Sequence, residues 1–329
     1  VMDVTVGLPT YKNNGTTIGL LLNALTVQTY KKFSVLIVYK PSEGDKTEEV
    51  VRKYSGQLDI EIVHQTEGYF DEALNLLYSR ANGDILITTD DDAVPSPSWV
   101  EDHVRLHEKY PEVGLLGPIM SSQSPASFFK RLYNKFMEPP LEPSFYEYST
   151  YYAKTGILVG NPNIGKVSTP YVKSFSFMGV NMSVKREVYK DFRLLPMTLR
   201  GIGNEPFLAL HTFRKGYVSA NFHSCCNITH EERDSLSRPK SVSGIKERYA
   251  ELMLSVYYLS KFYKLDLTRL SLDVKTKLAV WNLRKKSEQE RAMIEGLRAG
   301  LRIALEAIKE GKDEKWIRSK LTELNYQRP

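Results

Sequence analysis

Apolar residues in the first third of the chain fall into short dense runs separated by amphipathic stretches. Residues 4–8, 34–39, 60–64 and 85–89 are strand-length runs dominated by Val, Ile and Leu. Runs this dense belong to strands buried on both faces. Between them, residues 16–27, 46–54 and 71–80 space their apolar side chains as a helix does; Leu20, Leu21, Ala24 and Leu25 draw the stripe. Strand, helix, strand at this spacing predicts an α/β chain with a mostly parallel central sheet flanked by helices. Ligands of such sheets gather at the carboxyl ends of the strands.

The pattern then changes. A helix is predicted over 98–110 and a strand over 113–119, after which 121–170 is irregular and rich in Tyr, Phe, Pro and Ser. This stretch reads as loops with one short helix near 128–137, its aromatics serving either packing or contacts to a sugar or lipid. Regular structure resumes at 173–180, with helices at 185–190 and 206–215. Beyond about residue 242 everything is helical in spacing: 245–263, 271–281, 289–310 and a short helix from 313. Three segments follow: 1–120, 121–235 and a C-terminal helical extension at 236–329.

Charge separates the extension from the rest. From Lys240 onward Lys and Arg exceed Asp and Glu by 8, whereas the first 239 residues carry a net −2. In the extension Tyr249, Leu252, Val256, Leu259 and Phe262 form an apolar stripe that serves as core or, with the nearby cations, as a peripheral membrane contact. No run is long enough to cross a bilayer and no signal peptide opens the chain, so a cytoplasmic protein is expected, with the basic helices as its contact to the inner membrane face. The two cysteines, Cys225 and Cys226, are adjacent and are expected as reduced thiols. His103 and His107, one helical turn apart, are expected to face solvent, as is Lys40; His64 is expected to be packed. No nucleic-acid-binding module is present.

Asp90, Asp91 and Asp92 follow directly on the buried run 85–89. Three adjacent carboxylates repel one another unless a cation neutralises them. A hard divalent ion that also holds phosphate oxygens meets that need, and the competing reading is a solvated acidic turn ahead of the next helix. The flanking residues favour the metal. The segment Gly83-Asp84-Ile85-Leu86-Ile87-Thr88-Thr89-Asp90-Asp91-Asp92-Ala93-Val94-Pro95 resembles the DxD region of family 2 glycosyltransferases. Residues 4–11 are similar to that family's first strand and Pro-Thr-Tyr turn, and Gln28-Thr29-Tyr30 to the end of its first helix. Met178-Gly179-Val180-Asn181-Met182-Ser183 and Gly203-Asn204-Glu205 resemble later motifs of the same family.

The resemblance implies a GT-A (Rossmann-like) fold, a nucleotide-sugar-binding half at 1–120 and an acceptor-side half at 121–235. It implies an inverting glycosyltransferase with Mn2+ or Mg2+ held by Asp92 and His230. Pro9, Thr10, Tyr11, Asn75, Asp90 and Asp91 would bind the donor, and Asp91 is also a candidate for the metal. Gly179, Asn181 and Asn204 would stand on the acceptor side, and Glu205 would be the general base. The acceptor would be a glycan or lipid-phosphate-linked hydroxyl. Two departures matter: Glu205 stands where the family has Asp, and Tyr39-Lys40 replaces an acid that contacts the nucleobase. A nucleotidyltransferase or a catalytically inactive scaffold at a membrane surface are the other readings, though residues 9–14 lack the former's Gly-rich phosphate loop.

Overall fold

The computed structural model describes residues 1–120, 125–165, 169–230 and 235–326. Its strands are β1 (Val4–Tyr11), β2 (Phe33–Lys40), β3 (Ile60–His64), β4 (Ile85–Thr88), β5 (Ala93–Pro95), β6 (Val113–Pro118), β7 (Thr150–Tyr152), β8 (Leu158–Gly160), β9 (Tyr171–Lys173), β10 (Met182–Lys185), β11 (Val218–Phe222) and β12 (Ile228–His230). The chain divides into two compact units. One comprises 1–122, 167–194 and 205–232; the other comprises 123–166, 195–204 and 233–329.

The first unit holds an eight-stranded sheet in the order β3-β2-β1-β4-β10-β6-β11-β9. Strands β1 to β4 are parallel, as their continuous apolar runs predict, and β10 enters antiparallel between β4 and β6. The order reverses direction at β1 and β4, so the carboxyl ends of these two strands flank a topological switch point. Helix α1 (Ile18–Thr26), α2 (Thr47–Arg52), α3 (Phe70–Arg80) and α4 (Trp99–Lys109) lie where the amphipathic spacing places them. Helix α3 packs closely on β1: a Cβ on Gly7 would meet the Leu77 side chain at 2.5 Å. Regular structure expected at 173–180 is instead the end of β9 and the start of a connection into β10.

Helix α4 corrects one expectation. His103 and His107 are buried at 0% and 1% exposure, in line with Trp99 at 0%. Three residues four apart share one helix face, and Trp99 commits that face to the core. Their polar atoms join one network. The Asn181 amide donates to the Cys226 carbonyl (2.7 Å), and its Oδ1 accepts from Trp99 Nε1 (2.9 Å) and His103 Nε2 (3.0 Å). With its Nε2 donating, His103 presents Nδ1 as acceptor to the Ser183 hydroxyl (2.7 Å), whose oxygen takes the proton of His107 Nε2 (2.8 Å).

Burial pushes these imidazoles down to about 4 for His103 and about 3 for His107. An unfolded histidine titrates near 6.5 and therefore takes up its proton first as pH falls. Stability contributed by the neutral pair is complete above pH 6.5 and is lost progressively down to about pH 4 for His103 and about pH 3 for His107. Each imidazole should cost about 2 kcal/mol at pH 5. Urea unfolding at pH 7 and pH 5 should show this loss, and His107→Gln should remove about half of it. A pH-independent midpoint across this range would contradict the neutral network.

The second unit contains α5 (Phe128–Met137), the hairpin β7–β8 and the helices α8 (Val242–Leu252), α9 (Ser255–Ser260), α10 (Leu267–Asn282), α11 (Glu288–Glu310) and α12 (Glu314–Tyr326), while α6 (Arg186–Tyr189) and, from Glu205 onward, α7 (Asn204–Arg214) belong to the first. The expected helix 245–263 is broken between α8 and α9, where Met253 and Leu254 bond three residues back. Gly296 and Gly300 let α11 lie directly on α8: a Cβ at Gly300 would meet the Ala250 carbonyl oxygen at 2.1 Å. Of the apolar stripe, Val256 and Leu259 are fully buried, Tyr249 and Leu252 are half-buried and Phe262 is exposed. Among the described residues, no helix is long and apolar enough to cross a membrane.

Within this unit the helices clamp the loop that precedes α7. Buried Glu251 accepts from the backbone N–H groups of Leu199 (2.9 Å), Arg200 (3.1 Å) and Ile202 (3.3 Å). Arg200 pairs with Glu247 at 2.6 Å, and Arg318 donates to the Thr198 carbonyl. Gly201 and Gly203, both at positive φ, complete the turn.

Candidate active site

Strand β4 ends at Thr88, and the chain turns through the aspartates into β5. Asp90, Asp91 and Asp92 are all partly exposed there. Asp91 points back to the first strand: it accepts from the Thr10 hydroxyl at 2.8 Å, while its backbone carbonyl accepts from Thr17 at 2.9 Å. Thr10 is itself buried. Asp91 thus ties together the carboxyl ends of β1 and β4 and holds the turn that presents its neighbours.

The neighbours meet a histidine from far along the chain. Strand β12 pairs antiparallel with β5, with His230 opposite Ala93. This sets His230 Nε2 2.9 Å from Asp92 Oδ1 and 3.5 Å from Asp90 Oδ2. Ligand atoms of Asp90, Asp92 and His230 all lie within 4.8 Å of one another. Two carboxylate oxygens and one imidazole nitrogen form a donor set that could hold a divalent cation. A small cation would take the place of the His230–Asp92 hydrogen bond. The sequence places Asp92 and His230 at the metal, with Asp91 as a further candidate and Asp90 on the donor; in the structure it is Asp90 that joins Asp92 and His230.

The remaining site candidates fall into distinct positions. Glu205 Oε1 accepts from Gly179 N at 3.3 Å, and the Gly179 carbonyl accepts from the Thr88 hydroxyl at 2.6 Å. Two hydrogen bonds therefore link Glu205 to the strand that ends in the aspartates. Its charge adds to the burial that raises the Tyr78 phenol. Asn204 is buried and donates to the Gly201 carbonyl. Asn181 spends its amide on the interior network described above. Asn75 exchanges hydrogen bonds with the backbone of Leu194 in both directions (2.9 and 2.7 Å), holding that loop. Pro9 leads into the turn, and Tyr11 is half exposed at the end of β1.

Three expectations are corrected nearby. Lys40 is not simply solvated: it donates to the Gly68 carbonyl at 2.7 Å and lies over the rings of Tyr11 and Tyr69. His64 is not packed away but exposed, 3.2 Å from Glu48. Cys225 and Cys226 are paired with each other as a vicinal disulfide and do not stand as two free thiols.

The sequence model for glycosyl transferase family 2 matches residues 5–190, more than half of the chain. The chain belongs to glycosyl transferase family 2. This makes it a glycosyltransferase, and the sheet described above is that of the GT-A fold. Solved structures agree in fold. S. aureus TarS residues 1–349 in complex with UDP-GlcNAc superposes with a TM-score of 0.54 at 15% identity, over 99% of this chain and 93% of that one. The mannosyltransferase PcManGT from Pyrobaculum calidifontis, in complex with GDP-Man and Mn2+, gives 0.51 at 17% identity, over 100% and 88%. Against the longer TarS chain the match covers 98% of this chain but only 54% of TarS. No curated protein sequence matches the chain.

Proposed function

We propose that this glycosyltransferase is an inverting enzyme that moves a sugar from a nucleoside-diphosphate donor to an acceptor hydroxyl. The observation that carries this reading is the convergence of Asp90, Asp92 and His230 beyond β4, at the switch point of the sheet. Bound Mn2+ or Mg2+ at this cluster would neutralise charge building on the diphosphate as it leaves. Asp91 and Thr10 hold the turn rigid, so the carboxylates need not reorganise on binding. The donor complexes of TarS and PcManGT, whose fold this chain shares, support a nucleotide sugar as the donor class.

Inversion requires a base that removes the acceptor hydroxyl proton as its oxygen attacks the anomeric carbon. Glu205 suits that role: it is a carboxylate in the first turn of α7, linked through Gly179 to the metal-side strand. The acceptor we infer is a glycan or lipid-phosphate-linked hydroxyl. A thermal-shift screen of UDP, GDP and dTDP with manganese tests the donor assignment. One of the three should stabilise the protein, and stabilisation by none would remove it.

A further inference from the structure

Helix α5 departs from the usual segregation of apolar and polar side chains. Its packed face is polar and well anchored. Asn134 is buried and donates to the Tyr151 hydroxyl at 3.0 Å, the Tyr133 hydroxyl donates to the Asp273 carboxylate of α10, and Arg269 of α10 donates to the Phe136 carbonyl at 2.8 Å. Its outward face is apolar. Phe128, Phe129, Leu132 and Phe136 are 71%, 79%, 41% and 67% exposed. At about 100° per residue these four fall within one sector of about 100°, away from Tyr133 and Asn134. Arg131 and Lys135 border this sector and are exposed, Lys130 is exposed on the opposite side, and the helix holds no acidic residue.

Three phenylalanines aligned in water need an apolar phase to enter, and the cations beside them need anions at its surface. We propose that α5 is an interfacial helix that seats its Phe stripe at the headgroup–acyl boundary of an anionic bilayer, with Arg131 and Lys135 on lipid phosphates. Charge selects this occupant. A second copy docking by the same face would set these cations against their own equivalents. A bilayer offers both the apolar phase and the complementary charge. This surface is distinct from the stripe around residues 249–262, and it stands independently of the donor and the base.

Vesicle co-sedimentation of the full chain tests the proposal. Wild type should pellet with phosphatidylcholine vesicles containing about one third phosphatidylglycerol, and about ten-fold less with phosphatidylcholine alone. Binding should weaken with salt. F128S/F129S/F136S and R131E/K135E should each lose it while melting at the wild-type temperature, because every changed side chain is exposed. Phe129→Trp should report insertion by a blue shift on adding anionic vesicles. Absence of wild-type binding to anionic vesicles, or undiminished binding of the Phe variant, would overturn the proposal. So would sedimentation velocity showing a wild-type dimer that the Phe variant converts to monomer, since the face would then belong to a second copy.

Discussion

Asp92→Ala abolishes manganese-dependent binding of the nucleoside diphosphate and lowers transfer by about 10^3-fold or more. This is the expected result because Asp92 is the carboxylate nearest His230, and its loss leaves one acid and one imidazole for the cation. Calorimetric titration of the diphosphate with and without manganese reads the effect directly. Asp91→Ala should behave differently. Asp91 is spent on Thr10, and its backbone on Thr17. Its removal should loosen the turn and lower thermal stability while manganese still strengthens nucleotide binding. Equal manganese dependence in Asp92→Ala and wild type would remove Asp92 from the metal.

Glu205→Gln separates binding from chemistry. The amide keeps the length of the side chain and an oxygen to accept from Gly179 N, so the start of α7 should hold its shape. It cannot take a proton from the acceptor. Donor affinity should stay within about two-fold of wild type while kcat falls by about 10^3-fold, the span that general base catalysis supplies. Retained turnover would exclude Glu205 as the base and leave it as a first-turn acid favoured by the helix dipole.

What the sequence disclosed depended on how local each signal was. The dense apolar runs mark β1, β2 and β4 because burial on both faces leaves no room for alternation, and 60–64 matches β3 residue for residue although that edge strand is only partly buried. The aspartates were legible as a site because the buried strand ahead of them is adjacent in the chain. His230 could be placed beside them only by family resemblance. Its position rests on two three-residue strands, β5 and β12, more than a hundred residues apart, and neither carries a local signal. The hairpin β7–β8 was lost in the Tyr-rich stretch for the same reason. His103 and His107 were misjudged although Trp99, four residues earlier, already assigned their face to the core. Lys40 was misjudged because its partners, Tyr11, Gly68 and Tyr69, lie in other elements. The basic tail was legible as helix but not as a clamp, since Glu251 reaches the backbone of residues some fifty positions away.

The central claim is that Asp90, Asp92 and His230 hold a divalent ion that clamps a nucleoside diphosphate. It is tested most directly by completing the thermal-shift comparison of UDP, GDP and dTDP with a manganese arm and a chelator arm. The account predicts that one nucleotide raises the melting temperature with manganese, and that the chelator removes most of that rise. Stabilisation that persists unchanged in chelator, or no stabilisation by any of the three nucleotides with manganese, would contradict it.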